Sequence, residues 1–253
     1  PFGIAAAQSA SVKGNIAANA IRHIEFAELA ARHGAAAIVF PELSLTGYEP
    51  TVAAECALTA EAAVLQALRE ASRDLQITIV AGAPIKSDET RPYIGAIAFH
   101  PHGDATVYRK RFVHSTELGH FVASNDVVTC PVADHVLGIA ICADTSHAEH
   151  PDDLRKTGAT IYAAGVMMGP DDGRRAETRM AEYARQHSML AVMANYSAES
   201  GGFPTGGRSG IWDETGRVVA QADAQGDSLV IATETADGWR GQVVTVPDGS
   251  RGK

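Results

Sequence analysis

Three cysteines in 253 residues are too few, and odd in number, for a disulfide framework. Cys56, Cys130 and Cys142 cannot all pair within one chain, and none stands in a Cys-x-x-Cys or beside a ligand-spaced pair of histidines. A zinc site is therefore not expected, and reduced thiols are. The chain also has no run of Lys or Arg; 30 acidic residues outnumber 21 basic ones, for a net charge of −9. A nucleic-acid backbone would find no complementary surface, and the acidic balance serves solubility. No apolar stretch approaches the roughly 20 residues of a bilayer span. The opening "PFGIAAAQSA" has no basic flank of the kind a signal peptide carries and reads as a strand. A cytoplasmic protein with no membrane partner is the expectation. No linker or low-complexity segment divides the chain, so one domain is expected over 1–253.

What is present is 45% hydrophobic residues, enough for one large core, set out in short runs. "GIAAAQ" (3–8) reads as a strand, and Ile16, Ala20, Ile24, Ala27 and Ala31 mark an amphipathic helix that Gly34 can terminate. A strand follows over 36–42. Val64, Leu65, Leu68 and Leu75 then form the apolar face of a second helix, with Thr59 as its expected N-cap. Strands are expected over 77–84, 93–100, 105–110, 135–142, 159–166, 190–196, 208–213, 217–222 and 228–234. Helices are expected near 148–157 and 174–188. The two halves repeat the same order of elements, which puts helices outside a large sheet system in an α/β fold.

Three polar residues stand at or just past the ends of apolar strands: Glu42 in "IVFPELSLTGYEP", Lys110 in "TVYRKRF" and Cys142 in "GIAICADTS". Singly, each has an ordinary explanation as a solvated charge or a small core residue. Together they supply a base, a cation and a thiol, the parts that nucleophilic catalysis by sulfur requires. A carboxylate can take the thiol proton, and an ammonium favours thiolate and stabilises an oxyanion. A strand ending at Cys142 would place the backbone N–H of Ala143 close to the reacting carbon.

The set "FPELSLTGY", "YRKRF" and "GIAICAD", with the later "GRSGIWDETGRVVAQA", resembles the nitrilase superfamily of carbon–nitrogen hydrolases over nearly the whole chain. The resemblance implies a four-layer α-β-β-α sandwich. It also implies Glu42 as general base, Lys110 as oxyanion stabiliser and Cys142 as nucleophile. Many members carry a second glutamate after the lysine. Glu117 is either that residue or a surface loop carboxylate. Tyr48, Ala143, His147, Met167, Met168 and Asn195 are further candidates for contact with substrate, although a Met pair is more often packing. The expected substrate is a small-molecule amide, with no cofactor or metal and a homodimer or larger assembly. Within the family, a carbamoyl-group hydrolase or a nitrilase are alternatives. A binding or regulatory protein that kept the fold would not need an intact triad, and a metal-dependent phosphoesterase would need a ligand cluster that the sequence lacks. The chain departs from the family at Thr145, Ser146 and His147, at Arg111, Phe112, Val113 and His114, and at Glu214. The first two departures bear on pocket shape. Asp144 reads only as a turn carboxylate.

Overall fold

In the computed structural model, which describes residues 1–247, the chain alternates strands and helices from Gly3 to Thr245. The last six residues of the expected domain lie outside the described residues. The first half gives β1 (Gly3–Gln8), α1 (Ile16–Arg32), β2 (Ala37–Val39), α2 (Gln66–Leu75), β3 (Thr78–Ile85), β4 (Tyr93–Phe99) and β5 (Ala105–Arg109). The second gives β6 (Thr129–Val132), β7 (His135–Ile141), α3 (Glu149–Lys156), β8 (Ile161–Gly165), α4 (Pro170–His187), β9 (Leu190–Ala194), β10 (Gly210–Trp212) and β11 (Val218–Gln221). The hairpin β12 (Ser228–Thr235) and β13 (Gly238–Thr245) then returns to the first sheet.

Seven strands form one sheet in the order β13-β12-β1-β2-β3-β4-β5, and six form the other in the order β11-β10-β9-β8-β7-β6. The central strands β1, β2 and β3 run parallel, as do β7, β8 and β9. Strands buried on both faces need no polar side, which is why they read as unbroken apolar runs. The two-residue period of a strand sorts those side chains. In β1, Ile4 and Ala6 join the core between the sheets with Val39, Val80, Ile139 and Val192. Ala5 and Ala7 face outward against Phe26 of α1 and Leu68 of α2. On the far side, Ala140, Tyr162 and Ala164 pack under Leu154 of α3 and Met180 of α4. These three cores between four layers make an α-β-β-α sandwich.

Several boundaries differ from the expectation. The strand expected over 36–42 stops at Val39, because Pro41 opens a turn. Thr59 does not cap α2: a 3-10 turn over Ala63–Leu65 leads into it, and Leu65 occupies the cap position. Cys142 is not the end of its strand. β7 finishes at Ile141, and Cys142 opens a 3-10 turn through Ser146. Gly34, at φ +79°, does follow the end of α1 as expected. No helix among the described residues is long and apolar enough to cross a membrane.

Candidate active site

The turn after β2 carries Glu42, and both sheets shape it. A Cβ on Gly82 of β3 would sit 2.5 Å from the Pro41 carbonyl oxygen and 2.4 Å from the Leu43 nitrogen. A Cβ on Gly165 of β8 would sit 2.4 Å from the Phe40 carbonyl oxygen. Only glycine lets the backbone approach so closely from both sides. The Leu45 N–H donates to the Gly82 carbonyl at 2.8 Å, and the Tyr196 hydroxyl donates to the Glu42 carbonyl at 2.7 Å. The turn that aims the carboxylate is thereby fixed.

Lys110 follows β5 and turns inward. Its N–H bonds the Ile94 carbonyl at 2.7 Å, and its side chain is completely buried, as is that of Glu42. Nζ donates to Glu42 Oε1 at 2.7 Å and to Glu117 Oε1 and Oε2 at 3.0 and 2.9 Å. Glu117 is therefore no surface carboxylate. It is 2% exposed and also accepts from the Tyr48 hydroxyl and the His114 N–H, each at 2.8 Å.

Cys142 sits at φ +42°, a left-handed conformation that costs a non-glycine residue about 1–3 kcal/mol. The surroundings that hold it there are explicit. Asp144, two residues on, accepts from the Ile141 N–H at 2.9 Å, the Phe112 N–H at 2.9 Å and the Tyr108 hydroxyl at 2.6 Å. The Thr145 hydroxyl donates to the Cys142 carbonyl at 2.7 Å. Asp144 is thus a buried brace and not a solvated turn residue. His150 stands against Tyr108 at 2.9 Å, and burial pushes its pKa down against the pull of Asp144. The sequence offered no sign of this network, because its members lie far apart along the chain.

The charges shape one another. Burial raises the Glu42 pKa to about 7, against the pull of the Lys110 ammonium and with the push of Glu117. Burial alone would lower Lys110, but Glu42, Cys142 and Glu117 outweigh it and raise its pKa, so the ammonium persists. Burial and the Glu42 carboxylate drive the Cys142 thiol well above its ordinary range; the opposing effect of Lys110 is smaller. The Lys110 ammonium does favour the thiolate, as expected, but burial and Glu42 outweigh it. The thiol rests protonated, with Sγ donating to the Met167 carbonyl at 3.5 Å. Glu42 Oε2 has no hydrogen-bond partner among the described residues. Burial, Glu42 and Glu117 also keep the Tyr48 hydroxyl protonated.

A cavity of about 590 Å³ opens above this cluster, lined in part by Cys142, Ala143, Tyr48, Glu117, Met167 and Met168. Glu42 and Lys110 stand behind the lining. His147 is not among the lining residues; its ring stacks on Phe112 with centroids 3.8 Å apart. Asn195 acts through the chain and not on the cavity, bonding the Met168 N–H and carbonyl, each at 3.1 Å. His114, in a segment expected to bear on pocket shape, is on the lining, whereas Arg175, Arg179 and Phe203 there were not singled out by the sequence. Both arginines fall in the helix expected near 174–188, where nothing singled them out.

Residues 3–241 match the sequence model of the family described as carbon-nitrogen hydrolase. The chain belongs to the carbon–nitrogen hydrolase family. Among solved structures, this family member resembles an amidase from Nesterenkonia sp. AN1 with a TM-score of 0.85 at 20% identity, covering 94% of each chain. A variant of that amidase with acrylamide added at its active-site cysteine matches with a TM-score of 0.84 at 20% identity, over 93% of this chain and 94% of that one. A further variant in complex with butyramide matches at 0.83 and 20%, over 91% and 89%. At such identity the likeness shows the nitrilase-type fold.

Proposed function

We propose that the protein is a cysteine amidase that cleaves small linear amides through a thioester on Cys142. One observation carries the reading: a sealed Lys110 ammonium bridges Glu42 and Glu117 behind a thiol that faces a cavity. The likeness to an amidase seen with butyramide supports amides as the substrate class.

Each step follows from the charges. Glu42 takes the thiol proton as Sγ attacks the amide carbon, so a free thiolate need not accumulate. The carbonyl oxygen becomes an oxyanion between Lys110 and the Ala143 N–H. As the C–N bond breaks, the leaving nitrogen takes the proton back from Glu42 and departs as ammonia. Water then attacks the thioester while Glu42 takes its proton. The acid leaves, and Glu42 returns that proton to the Cys142 sulfur. Glu117 keeps Lys110 oriented, and Tyr48 keeps Glu117 in place.

The test is ammonia release from short amides, run alongside carbamoyl compounds and nitriles, with mass spectrometry of the quenched protein. Ammonia and acid should appear in equal amounts, and the Cys142 peptide should gain the acyl mass. Cys142→Ala should abolish both while retaining substrate affinity. Undiminished turnover by Cys142→Ala overturns the reading, and turnover of carbamoyl compounds alone would move it to that class.

A further inference from the structure

Arg179 is tied to the turn that carries the thiol. It lies on α4, half-buried, and its Nε donates to the Thr145 carbonyl at 3.0 Å, an oxygen that also accepts from the Tyr183 hydroxyl at 3.0 Å. The Thr145 hydroxyl returns to the Cys142 carbonyl at 2.7 Å. Thr145 stands one 3-10 turn past Cys142, ~6 Å along its axis. The guanidinium and the sulfur thus share one cavity lining and are linked through the 3-10 turn Cys142–Ser146.

The remaining arginine, aspartate and glutamate charges on that lining are matched. Glu117 pairs with Lys110 at 2.9 Å, and Asp172 pairs with Arg175 at 2.7 Å. Arg179 has no carboxylate partner among the described residues, and neither of its terminal nitrogens makes a hydrogen bond there. A guanidinium offers five N–H donors in a planar fork. One is spent on the Thr145 carbonyl. The two terminal nitrogens fit the paired oxygens of a carboxylate, the group this fork binds best. A structural staple to one carbonyl would need no such charge.

We propose that Arg179 receives a carboxylate at the far end of the substrate, so that the preferred substrates are ω-amides of short dicarboxylic acids and not neutral alkyl amides. The inference rests on the amidase reading and adds the substrate's second end. With Cys142 and Arg179 on one lining and joined through a single 3-10 turn, the proposal calls for a spacer of a few carbons. Hydrolysis then releases a dicarboxylate and ammonia, so the reaction that supplies this substrate is one that leaves an amide on a dicarboxylic skeleton.

Matched pairs test it. Succinamate is butyramide with its terminal methyl replaced by carboxylate, and glutaramate stands in the same relation to valeramide. In the wild type, kcat/KM should favour each acid amide over its neutral partner by at least about 10-fold, the worth of a charged hydrogen bond. In Arg179→Met the acid-to-neutral ratio should fall about 10- to 100-fold, and Arg179→Lys should restore part of it. A purely structural Arg179 would lower both members of a pair together and leave the ratio alone, and that result overturns the proposal. So does a wild type indifferent to the carboxylate while turning over butyramide, an outcome that leaves the amidase reading intact. Calorimetry separates binding from chemistry: Cys142→Ala should bind succinamate about 10- to 100-fold more tightly than Cys142→Ala with Arg179→Met. Equal affinities overturn the carboxylate site. Absence of ammonia from all four amides overturns the amidase reading instead.

Discussion

The Tyr108 hydroxyl donates to Asp144 at 2.6 Å, with both residues buried. Lys110 lies between Tyr108 and Phe112, and the same carboxylate also accepts the Phe112 N–H. One side chain therefore ties the lysine's strand end to the strained turn at Cys142.

Removing that tie should lower rate as well as stability. Tyr108→Phe leaves an Asp144 oxygen short of a donor and should cost about 1–3 kcal/mol, read as a lower Tm. A small displacement of Lys110 from Cys142 should cut kcat about 10- to 100-fold, with less change in KM. A destabilised variant with unchanged kcat would show that Asp144 supports the fold alone.

With Glu42 as the proposed base, its pKa of about 7 predicts an acid limb of activity there. As the base it must be ionised, so kcat/KM should rise with pH to a plateau above about 7. Stability runs the other way. The folded pKa lies above the ordinary 4.5, so the folded state binds the proton more tightly. Glu42's contribution is fully present below about pH 4.5 and is lost as pH rises to about 7. Denaturant unfolding of Glu42→Gln should lack that slope. The groups facing Glu42, namely Lys110, Glu117 and Cys142, remain in the variant. A slope that survives the substitution would assign the titration elsewhere.

Alkylation should distinguish the thiols by the source of their reactivity. Cys142 rests protonated and depends on Glu42, so its reaction with iodoacetamide should rise through about pH 7. Cys56, raised above 9.0 by burial and Glu55, should react appreciably only at higher pH. Cys130 is buried, with its pKa pushed up to about 12, and should stay unlabelled in the folded protein. Peptide mapping after brief exposure reads all three. Labelling of Cys142 that is equally fast in Glu42→Gln would remove the carboxylate from its activation.

Glu117→Gln keeps the shape and removes one of two carboxylates on Lys110. The ammonium then leans on Glu42 alone, which draws the base toward its ionised form and weakens it. We expect kcat to fall by about 10²-fold, with the pH limb moved to lower pH. A rate within twofold of wild type would make Glu117 a structural residue.

Much of the sandwich was legible because its central strands are buried on both faces, as the run from Ile4 to Ala7 shows. β6 escaped notice because Pro131 interrupts it, which an edge strand can tolerate. β13 is also an edge strand, largely exposed, and carries no apolar run to mark it. At the site, the ends of apolar strands pointed to Glu42, Lys110 and Cys142. Asp144 did not stand out, since two of its donors lie 36 and 32 residues away. The loop around Glu117 gave no hint of burial, and Arg179 is one of several arginines on α4 until the fold turns it toward the cavity.

Gly82 and Gly165 belong to different sheets, and the turn bearing Glu42 is pressed against both. The carboxylate is thus referenced to the relative position of the two sheets and not to either alone. A slip of a few tenths of an ångström between them would move Glu42 before it exposed any core. With Glu42 as the proposed base, turnover becomes a gauge of inter-sheet alignment, and substitutions far from the cavity that loosen the sandwich should lower turnover before they shift the melting curve.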